Sequence, residues 1–459
     1  YCCISGGVRM IQYKDLQYKK VLVLGLAKSG VAASELLHEL GAFVTVNDAK
    51  PFDANPEAQG LLTKGITVIC GKHPEDLLDE GFELVVKNPG IPYFNPIVAD
   101  AMRRNIPVIT EVELAYLVSE APFIGITGSN GKTTTTTIIH EMLAAGNKAP
   151  LIAGNIGTVS CGVAKEATAE NTIVIELSSF QLMGTRTFKP KIAIMTNLFD
   201  AHLDYHGTFD AYADAKFNIT KNQTEEDYFI YNADQEVVRS YAAKSNATKI
   251  PFTSKGRSDV GISADEAYIY WNGEKIIDRS IIVLPGQHNL ENILCSIAAA
   301  LLVGTSIEAI EKVLKTVSGV RHRTQFVREW NGRKIYNDSK ATNCLATRSA
   351  LDAFNAPIVL LAGGLDRGHS FEDLRESMKN VKAVVAFGET GLRFIEFAKS
   401  CGIEKAVSAI NVEDAVGYAA KLSVEGDIIL LSPACASWDQ YDSFEIRGDV
   451  FIEQAMKLQ

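Results

Sequence analysis

Residues 124–134 constrain the fold of this chain more than any other stretch. The apolar residues at its start are typical of a short buried strand, and a glycine-rich turn then leads into a helix. Gly128 and Gly131 lack a Cβ, so the backbone can curl tightly and bring its N–H groups close to an anion. The helix that starts at Lys132 directs its positive N-terminal end at the same point. The stretch therefore predicts a phosphate-binding turn at a strand-to-helix junction.

This turn departs from the common P-loop at one position, because Ile126 stands where that pattern has glycine. In the remaining Gly-x-x-Gly-Lys-Thr-Thr pattern, Lys132 adds a full charge and Thr133 offers a hydroxyl suited to a phosphate-bound Mg²⁺. An ordinary strand-to-helix turn is the alternative, but two glycines, a lysine and several hydroxyls coincide at the right joint. We expect phosphate groups to contact seven consecutive residues: Gly128, Ser129, Asn130, Gly131, Lys132, Thr133 and Thr134.

Apolar runs alternate with helical patterns along the whole chain, which is typical of α/β domains built on parallel sheets. The length of 459 residues allows two to four domains. The runs fall into three groups, so we expect three consecutive α/β domains. In each, the ligand-binding edge lies at the carboxyl ends of the strands.

The first domain starts like a dinucleotide-binding unit, with a strand near residues 20–25 and an acidic residue, Asp48, at the tip of the second strand. Ala27 occupies the place of the middle glycine in G-x-G-x-x-G, which weakens an NAD(P)-dependent oxidoreductase interpretation. Asp48 can accept a ribose or uracil hydrogen bond, although a plain turn with a capping aspartate is the alternative. The turn at 88–92, Asn-Pro-Gly-Ile-Pro, is of a kind that lets a phosphate approach backbone N–H groups.

Polar residues end the strands of the middle domain. Glu176 follows a buried run and is a candidate Mg²⁺ ligand beside Thr133, with helix capping as the alternative. Two histidines and two aspartates between residues 200 and 206 suggest zinc, but the glutamate of H-E-x-x-H is missing. One imidazole near a Mg²⁺–phosphate site is favoured instead. From the residues alone, Lys216 is best explained as a surface lysine.

Three further groups point to small-molecule contacts. Asn289 and Asn292 share one helical face and are placed to meet a purine edge, or Asn289 simply caps the helix. The basic segment 319–324 offers cations to phosphates. Loops bearing Lys340, Arg367 and Ser437 are suited to a carboxylate-rich ligand. Cys435 lacks a neighbouring His/Asp pattern and is not expected to be a nucleophile.

Composition excludes several classes of protein. The net charge is −10 and the pI about 5.4, which argues against a general nucleic-acid or membrane-surface binder. No apolar run approaches the roughly 20 residues of a membrane span. The eight cysteines form no C-x-x-C pair and indicate reduced thiols and a cytoplasmic location. Residues 1–9 precede Met10 and are excluded from the fold prediction as an upstream extension or artefact.

Together these motifs resemble the Mur ligase family from about Lys20 to the C-terminus. The glycine loop and His-Asn-x-x-Asn (288–292) are typical of the whole family, folylpolyglutamate synthetases included. The stretches 176–182, 338–343 and 432–437 are similar to those of the members that add D-glutamate. The resemblance implies an ATP-dependent amide ligase that joins D-glutamate to UDP-N-acetylmuramoyl-L-alanine in peptidoglycan precursor synthesis, and so serves cell-wall biogenesis, cell shape and cell division.

The resemblance also implies an architecture. We expect an extension and lead-in at 1–19, a Rossmann-like UDP-substrate domain at 20–115, a central P-loop-type ATP domain with a parallel or mixed sheet at 116–322, and a Rossmann-like amino-acid domain at 323–459. The implied chemistry passes through an acyl phosphate and a tetrahedral intermediate, and so depends on positioning and charge neutralisation. The expected partners are the two substrates. We expect a monomer and no nucleic acid.

By this resemblance, ATP and two Mg²⁺ ions are the cofactors. Catalysis is assigned to Lys132, Glu176, His202 and Lys216. Thr133 and Glu176 are expected to hold one metal ion, and His202 and Lys216, carbamylated by CO₂, the other. The nucleotide is expected to contact Asn289, Asn292, His322 and Arg323. D-Glutamate is expected to contact Lys340, Arg367, Ser437 and Phe444. The UDP-substrate is expected to contact Ala27, Lys28, Ser29, Asp48, Asn88, Pro89, Gly90, Asn155 and Ser178.

Two alternatives remain open at this point. One is another ligase of the same type, which adds L-alanine, a diamino acid, or glutamate to folate. The other is a nucleotide-dependent switch or scaffold, which would hydrolyse ATP without any acceptor amine.

Overall fold

Three sheets organise the chain, in a computed structural model that describes residues 13–156, 158–317 and 319–459. Residues 1–12, within the expected N-terminal extension, lie outside the described part. The described residues form two compact units by their contacts. The first takes in the described residues up to Asp265 with 269–275 and 294–306, and the second takes in 266–268, 276–293 and 307–459.

The first sheet is parallel throughout, with the strand order β3-β2-β1-β4-β5. Its strands are β1 (Lys20–Leu24), β2 (Phe43–Asp48), β3 (Thr67–Cys70), β4 (Leu84–Lys87) and β5 (Val108–Ile109). Four helices accompany it: α1 (Lys28–Glu39), α2 (Pro56–Thr63), α3 (Pro96–Arg103) and α4 (Glu111–Val118). Residues 21–24 of β1 are fully buried, as expected of a central parallel strand that is covered on both faces.

The second sheet is mixed and has the order β14-β13-β12-β11-β10-β9-β6-β8-β7. Its strands are β6 (Phe123–Thr127), β7 (Pro150–Gly154), β8 (Thr172–Glu176), β9 (Ile192–Met195), β10 (Tyr228–Asn232), β11 (Thr248–Thr253), β12 (Ile262–Ala264), β13 (Tyr268–Trp271) and β14 (Glu274–Asp278). The helices of this part of the chain are α5 (Lys132–Ala145), α6 (Ser160–Glu166), α7 (Ser179–Leu182), α8 (Leu203–His206), α9 (Phe209–Phe217), α10 (Glu236–Ala242), α11 (Gln287–Leu302) and α12 (Ile307–Leu314).

The third sheet has the order β15-β16-β20-β17-β18-β19, parallel except for the antiparallel pair β15 and β16. Its strands are β15 (Gln325–Trp330), β16 (Arg333–Asn337), β17 (Ile358–Gly363), β18 (Val381–Phe387), β19 (Lys405–Ser408) and β20 (Ile428–Leu431). Its helices are α13 (Cys344–Asp352), α14 (Gly391–Ser400), α15 (Val412–Leu422) and α16 (Phe444–Lys457). Every residue of β17 and β20 is buried.

Short 3₁₀ helices connect several of these elements. They are Tyr13–Leu16, Phe52–Ala54, Leu77–Glu80, Asn218–Thr220, Arg279–Ile281 and Glu372–Asn380. The six cysteines within the described residues are free thiols, as expected from their spacing. Over the same residues, no helix combines the length and apolar character needed to cross a bilayer.

The expected fold class, three successive α/β domains with parallel or mixed sheets, is confirmed. The domain boundaries given above stay predictions. The alternation of buried strands and helices places most of the predicted ligand residues in loops that follow strands, at the carboxyl edges of the sheets.

Candidate active site

The glycine loop connects β6 to α5 in a conformation that only glycine accommodates at its first turn. Gly128 has a φ of +148°, and a Cβ built on it would lie 2.0 Å from Thr196 Oγ1. Gly131 has a φ of +82° immediately before α5. The two glycines therefore do what the sequence predicted, which is to let the backbone turn sharply into the N-terminus of the helix.

The end of β9 holds this loop in place. The Asn130 N–H donates to Asn197 Oδ1 at 2.8 Å, and the Ser129 N–H donates to the Asn197 carbonyl at 3.0 Å. Thr196 Oγ1 donates to the Asn130 carbonyl at 2.6 Å. These contacts fix the loop before any ligand arrives. Thr196 was not among the predicted site residues, although a polar pair at the end of a buried strand is a recognisable signal.

Lys132 lies half-buried over its own loop. Its Nζ donates to the Gly128 carbonyl at 2.9 Å and to the Ser129 carbonyl at 3.1 Å. Burial lowers the pKa of Lys132, and the carboxylate of Glu176 opposes that shift. The ammonium is therefore held by weak neutral acceptors, which phosphate oxygens can replace with stronger charge-assisted hydrogen bonds.

Glu176 joins two of the predicted groups at the end of β8. Thr133 Oγ1 donates to its Oε2 at 2.7 Å, and Asn155 Nδ2 donates to its Oε1 at 3.1 Å. The side chain is 2% exposed. A buried carboxylate and a hydroxyl beside a phosphate loop fit the oxygen ligands of Mg²⁺, which commonly takes one or two protein groups and completes its shell with phosphate and water. The described residues hold no group of three or more His, Cys, Asp and Glu side chains gathered for a metal ion.

Lys216 is deeply buried, so the surface-lysine interpretation drawn from the residues alone is wrong. The residue is 2% exposed, its Nζ donates to the Gly128 carbonyl at 2.8 Å, and the Tyr212 ring centroid is 4.7 Å away. Burial, together with the nearby Lys132 ammonium, lowers the pKa of Lys216 to about 7, although the Glu176 carboxylate opposes the shift. A substantial fraction of Lys216 is therefore a neutral amine near neutral pH.

His202 stands at the start of α8 in a left-handed conformation, with a φ of 55°, and is exposed. Its ring meets Phe180 edge-on, with 5.1 Å between ring centroids. The second histidine of the cluster, His206, stacks on the same Phe180 ring, and its Nε2 also lies 2.9 Å from Ser179 Oγ. The two imidazoles thus share an aromatic partner, and His206 has a polar partner as well.

The N-terminal domain contributes a turn and a helix start. Asn88 Nδ2 donates to Ser29 Oγ at 3.2 Å, which links the 88–92 turn to α1. The Gly90 N–H donates to Asn88 Oδ1 at 3.1 Å, and the Ile91 N–H donates to the Asn88 carbonyl at 3.0 Å. The backbone N–H groups expected to meet a phosphate thus already have acceptors within the turn. Asp48 is likewise engaged, accepting the N–H groups of Leu26 and Lys50 at 2.7 and 2.8 Å.

One cavity of about 570 Å³ collects most of the predicted UDP-substrate and catalytic residues of the first compact unit. Twelve predicted residues line it: Ala27, Lys28, Ser29, Asn88, Pro89, Gly90, Ser129, Lys132, Asn155, Ser178, His202 and Lys216. Seven others in this unit are outside the lining: Asp48, Gly128, Asn130, Gly131, Thr133, Thr134 and Glu176. Ser178 has a second role, because it caps α7 through a reciprocal capping box with Gln181.

Seven lining residues were not predicted as site residues, and three of them, Tyr212, Glu111 and Val159, carry no local sequence signal. Tyr212 is 1% exposed and its hydroxyl lies 3.0 Å from Ser129 Oγ, so it braces the loop and covers Lys216. Glu111 accepts a hydrogen bond from the Cys161 N–H, and burial raises its pKa to about 7. Val159 adds an apolar surface. Nothing in the local sequence pattern marked these residues, since each reaches the cavity through tertiary packing.

The second compact unit carries the residues predicted for D-glutamate. Lys340 Nζ lies 5.7 Å from the Phe444 ring centroid, and the Phe444 carbonyl accepts a hydrogen bond from Ser339 Oγ at 2.8 Å. Ser437 is 2% exposed, and its Oγ has no hydrogen-bond partner among the described residues. Arg367 stacks on Trp438, with 5.0 Å from the guanidinium carbon to the ring centroid.

Arg447 underlies this loop cluster and was not predicted. It is fully buried, donates from Nη2 to the Ser339 and Cys435 carbonyls at 2.9 and 3.0 Å, and has no partner for Nη1 within the described chain. Burial lowers its pKa to about 10. A buried cation held by the Ser339 and Cys435 carbonyls favours an anionic ligand in the loops that carry them.

The predicted adenine and nucleotide residues of the second unit are also largely paired. Asn289 Nδ2 donates to the Pro285 carbonyl at 2.7 Å, and Asn292 Nδ2 lies 3.5 Å from Asn289 Oδ1. His322 is 3% exposed and its Nδ1 lies 2.9 Å from Asn337 Nδ2; burial lowers its pKa. Arg323 is exposed. Their roles toward a nucleotide stay predictions.

Comparisons with known proteins point to the same family in all three parts of the chain. Family models match as the Mur ligase MurD-like N-terminal domain at residues 19–110, the Mur ligase middle domain at 126–300 and the Mur ligase glutamate ligase domain at 322–435. The UDP-N-acetylmuramoylalanine–D-glutamate ligase of Geobacillus sp. (strain WCH70) is 59% identical over 450 residues, which is 98% of this chain and 100% of that protein. The enzyme of the same name from Listeria monocytogenes serotype 4b (strain F2365) is 57% identical, over 96% of this chain and 97% of that protein.

Solved structures share the fold. A UDP-N-acetylmuramoyl-L-alanyl-D-glutamate–2,6-diaminopimelate ligase matches with a TM-score of 0.59 at 17% identity, over 91% of this chain and 93% of that one. MurF ligase from Thermotoga maritima, solved in complex with ADP, matches with a TM-score of 0.52 at 17% identity, over 98% of this chain and 97% of that one. From the three family models and the identity to these relatives along nearly the whole chain, the protein belongs to the Mur ligase family.

Proposed function

We propose that this chain is an ATP-dependent ligase that joins D-glutamate to UDP-N-acetylmuramoyl-L-alanine. The observation that carries the proposal is the cavity in which the 88–90 turn and the α1 start meet Lys132, His202 and Lys216. It is the arrangement needed to bring a bound carboxylate to a nucleotide's terminal phosphate. The names of the relatives at 55–59% identity support D-glutamate as the amine.

The reaction divides into two balanced steps. A carboxylate oxygen of the alanyl group attacks the γ-phosphorus of ATP; the new O–P bond forms as the bond to ADP breaks. The neutral amine of D-glutamate then attacks the acyl carbon, and the tetrahedral intermediate expels inorganic phosphate while the nitrogen loses a proton. Neither step needs a covalent enzyme group, so the chain's contribution is orientation and charge.

In this scheme Lys132 leaves its two loop carbonyls and donates to the β- and γ-phosphates. Thr133 and Glu176 would hold one Mg²⁺, and His202 with the carbamylated Lys216 would hold the other. Bound Mg²⁺ would neutralise the charge on the phosphate and acyl oxygens. Asn155 fixes the position of the Glu176 carboxylate through its hydrogen bond of 3.1 Å.

Carbamylation of Lys216 belongs to this proposal. A neutral amine adds to CO₂, a C–N bond forms, one proton is released, and the side chain becomes an anion with two oxygen donors. The pKa of about 7 supplies the neutral amine, and a carbamate would remove the repulsion between two ammonium groups that now share the Gly128 carbonyl. A cytoplasmic location is proposed from the free thiols.

The deciding experiment is phosphate release from ATP with UDP-N-acetylmuramoyl-L-alanine and a panel of amino acids. We expect turnover with D-glutamate and only background with L-alanine, L-lysine or meso-diaminopimelate. Turnover with L-lysine or meso-diaminopimelate but not D-glutamate would refute the choice of amine. Equal ATP hydrolysis without any amine would favour a nucleotide-driven switch.

A further inference from the structure

Lys87 is a buried cation that none of the assignments above uses. It is the last residue of β4, it is 1% exposed, and its side chain contacts the carbonyls of the following turn. Its Nζ donates to the Ile91 carbonyl at 2.9 Å and the Pro89 carbonyl at 3.2 Å, with the Asn88 carbonyl at 3.5 Å. Three acceptors match the three N–H donors of an ammonium.

Within the described residues, Lys87 has no local counter-ion. Burial alone lowers its pKa, to about 8, and no carboxylate among the described residues acts on it. The face of the Tyr93 ring lies 4.7 Å from Nζ and adds a weak cation–π contact. At neutral pH the side chain therefore remains mostly protonated, and neutral acceptors alone surround a full positive charge.

The same Ile91 carbonyl accepts a second hydrogen bond, from the middle domain. Tyr205 lies in α8, one helical turn after His202, and its hydroxyl donates to that carbonyl at 3.3 Å. Its ring packs edge-on against Phe180, with 4.6 Å between ring centroids. The turn is therefore held by Lys87 from its own domain and by Tyr205 from the helix that follows a predicted catalytic histidine.

Residues 88–90 of the turn line the cavity. A fixed charge beneath this lining, shielded from water, attracts an anion across it more strongly than an exposed lysine does, because the local dielectric constant is low. The turn's own N–H groups are already engaged, so they do not supply this attraction.

We propose that Lys87 and Tyr205 are positioning residues for the UDP-substrate. Lys87 places a fixed positive charge behind the turn that receives the diphosphate, and Tyr205 keeps that turn in register with His202. The inference rests on the proposed function, since it takes the ligand of the cavity to be a nucleoside diphosphate sugar.

The test compares Lys87→Met, which keeps the side-chain length and removes the charge, with Lys20→Met. Lys20 is the exposed first residue of β1, whereas Lys87 is the last residue of the neighbouring strand β4. Lys20 therefore lies at the opposite edge of the same sheet and serves as the matched control. We expect Lys87→Met to raise KM for the UDP-substrate about tenfold, with kcat and the KM values for ATP and D-glutamate unchanged. Calorimetric binding of UDP should weaken in parallel, whereas binding of uridine should not. Lys20→Met should match the wild type.

Equal binding of UDP by wild type and Lys87→Met would overturn the proposal, and so would equal losses for UDP and uridine, which indicate a misfolded turn. If Lys87→Met does not fold, Tyr205→Phe tests the same turn, with Tyr228→Phe as control. We expect Tyr205→Phe to raise KM for the UDP-substrate about threefold at unchanged kcat; an unchanged KM would contradict the role of Tyr205. UDP binding is measured without turnover, so a wild type that binds UDP but does not use D-glutamate would refute the proposed function alone.

Discussion

Lys216→Ala is the substitution with the sharpest expected consequence. The side chain contacts the Gly128 carbonyl and the Tyr212 ring, and the proposed carbamylation requires its neutral form. At pH 7.5 a lysine with a pKa of about 7 is roughly three-quarters neutral. At the ordinary value of 10.5, only about one molecule in a thousand would be neutral. The shift, caused mainly by burial and also by the Lys132 ammonium, thus increases the neutral fraction by nearly three orders of magnitude.

We expect Lys216→Ala to lower kcat by at least about 100-fold, the scale of losing a metal-binding group. A short carboxylic acid at millimolar concentration should restore part of the activity by placing an anionic oxygen in the space left by the side chain. The assay is D-glutamate-dependent phosphate release, with Lys221→Ala as the control, because Lys221 is exposed five residues further on. Normal activity in Lys216→Ala, or equal stimulation of both variants by the acid, would refute the carbamate role.

The same pKa shift predicts a dependence of stability on pH. The unfolded lysine titrates near 10.5 and the folded one near 7, so between these values the unfolded chain binds the extra proton. The contribution of Lys216 to the free energy of unfolding therefore rises with pH across that window and is lowest at and below pH 7. The penalty at neutral pH is on the order of 4–5 kcal/mol, from a shift of about 3.5 pH units at 1.36 kcal/mol each. In CO₂-free buffer Lys216→Met should melt at a higher temperature than wild type at pH 7, and the difference should shrink by pH 10; the opposite trend would contradict the assignment.

Three other substitutions have defined outcomes. Lys132→Ala should abolish acyl-phosphate formation, trapped by borohydride reduction, while calorimetric binding of the UDP-substrate survives; loss of both would mean that the lysine supports the fold. Lys340→Ala should raise KM for D-glutamate about tenfold at constant KM for ATP, and an unchanged value would move the amino-acid site elsewhere. Gly128→Ala should lower the melting temperature and remove ATP turnover, because its Cβ would lie 2.0 Å from Thr196 Oγ1, whereas Gly162→Ala, with open space around it, should be neutral or slightly stabilising.

The local sequence pattern was sufficient to predict those features whose chemistry depends on residues close together in the sequence. The glycine loop, its lysine and the carboxylate at the end of β8 are each defined within about a dozen residues. Glu176 reaches Thr133 because parallel strands β6 and β8 are adjacent, with Ile126 beside Glu176 in register. The sheet edge therefore assembles a site that strand order makes predictable.

Contacts between residues distant in the sequence produced the features that the local pattern could not predict. The burial of Lys216 depends on Tyr212, one helical turn before it, and on the Gly128 carbonyl, 88 residues away. The internal hydrogen bonds of the 88–92 turn were equally invisible, because an Asn-Pro-Gly sequence is compatible with open and closed turns. Lys87 carried no signal at all: a lysine at the end of an apolar run is ordinarily exposed, and only the closed turn explains its burial.

The most direct test of the account is the fate of the alanyl carboxylate oxygens during turnover. UDP-N-acetylmuramoyl-L-alanine labelled with ¹⁸O in that carboxyl group is incubated with ATP and D-glutamate, and the released phosphate is analysed by mass spectrometry. An acyl phosphate formed in the cavity beside Lys132 and Lys216 requires one labelled oxygen in each phosphate and the other in the new amide. Unlabelled phosphate, or labelled phosphate formed at the same rate without D-glutamate, would contradict it.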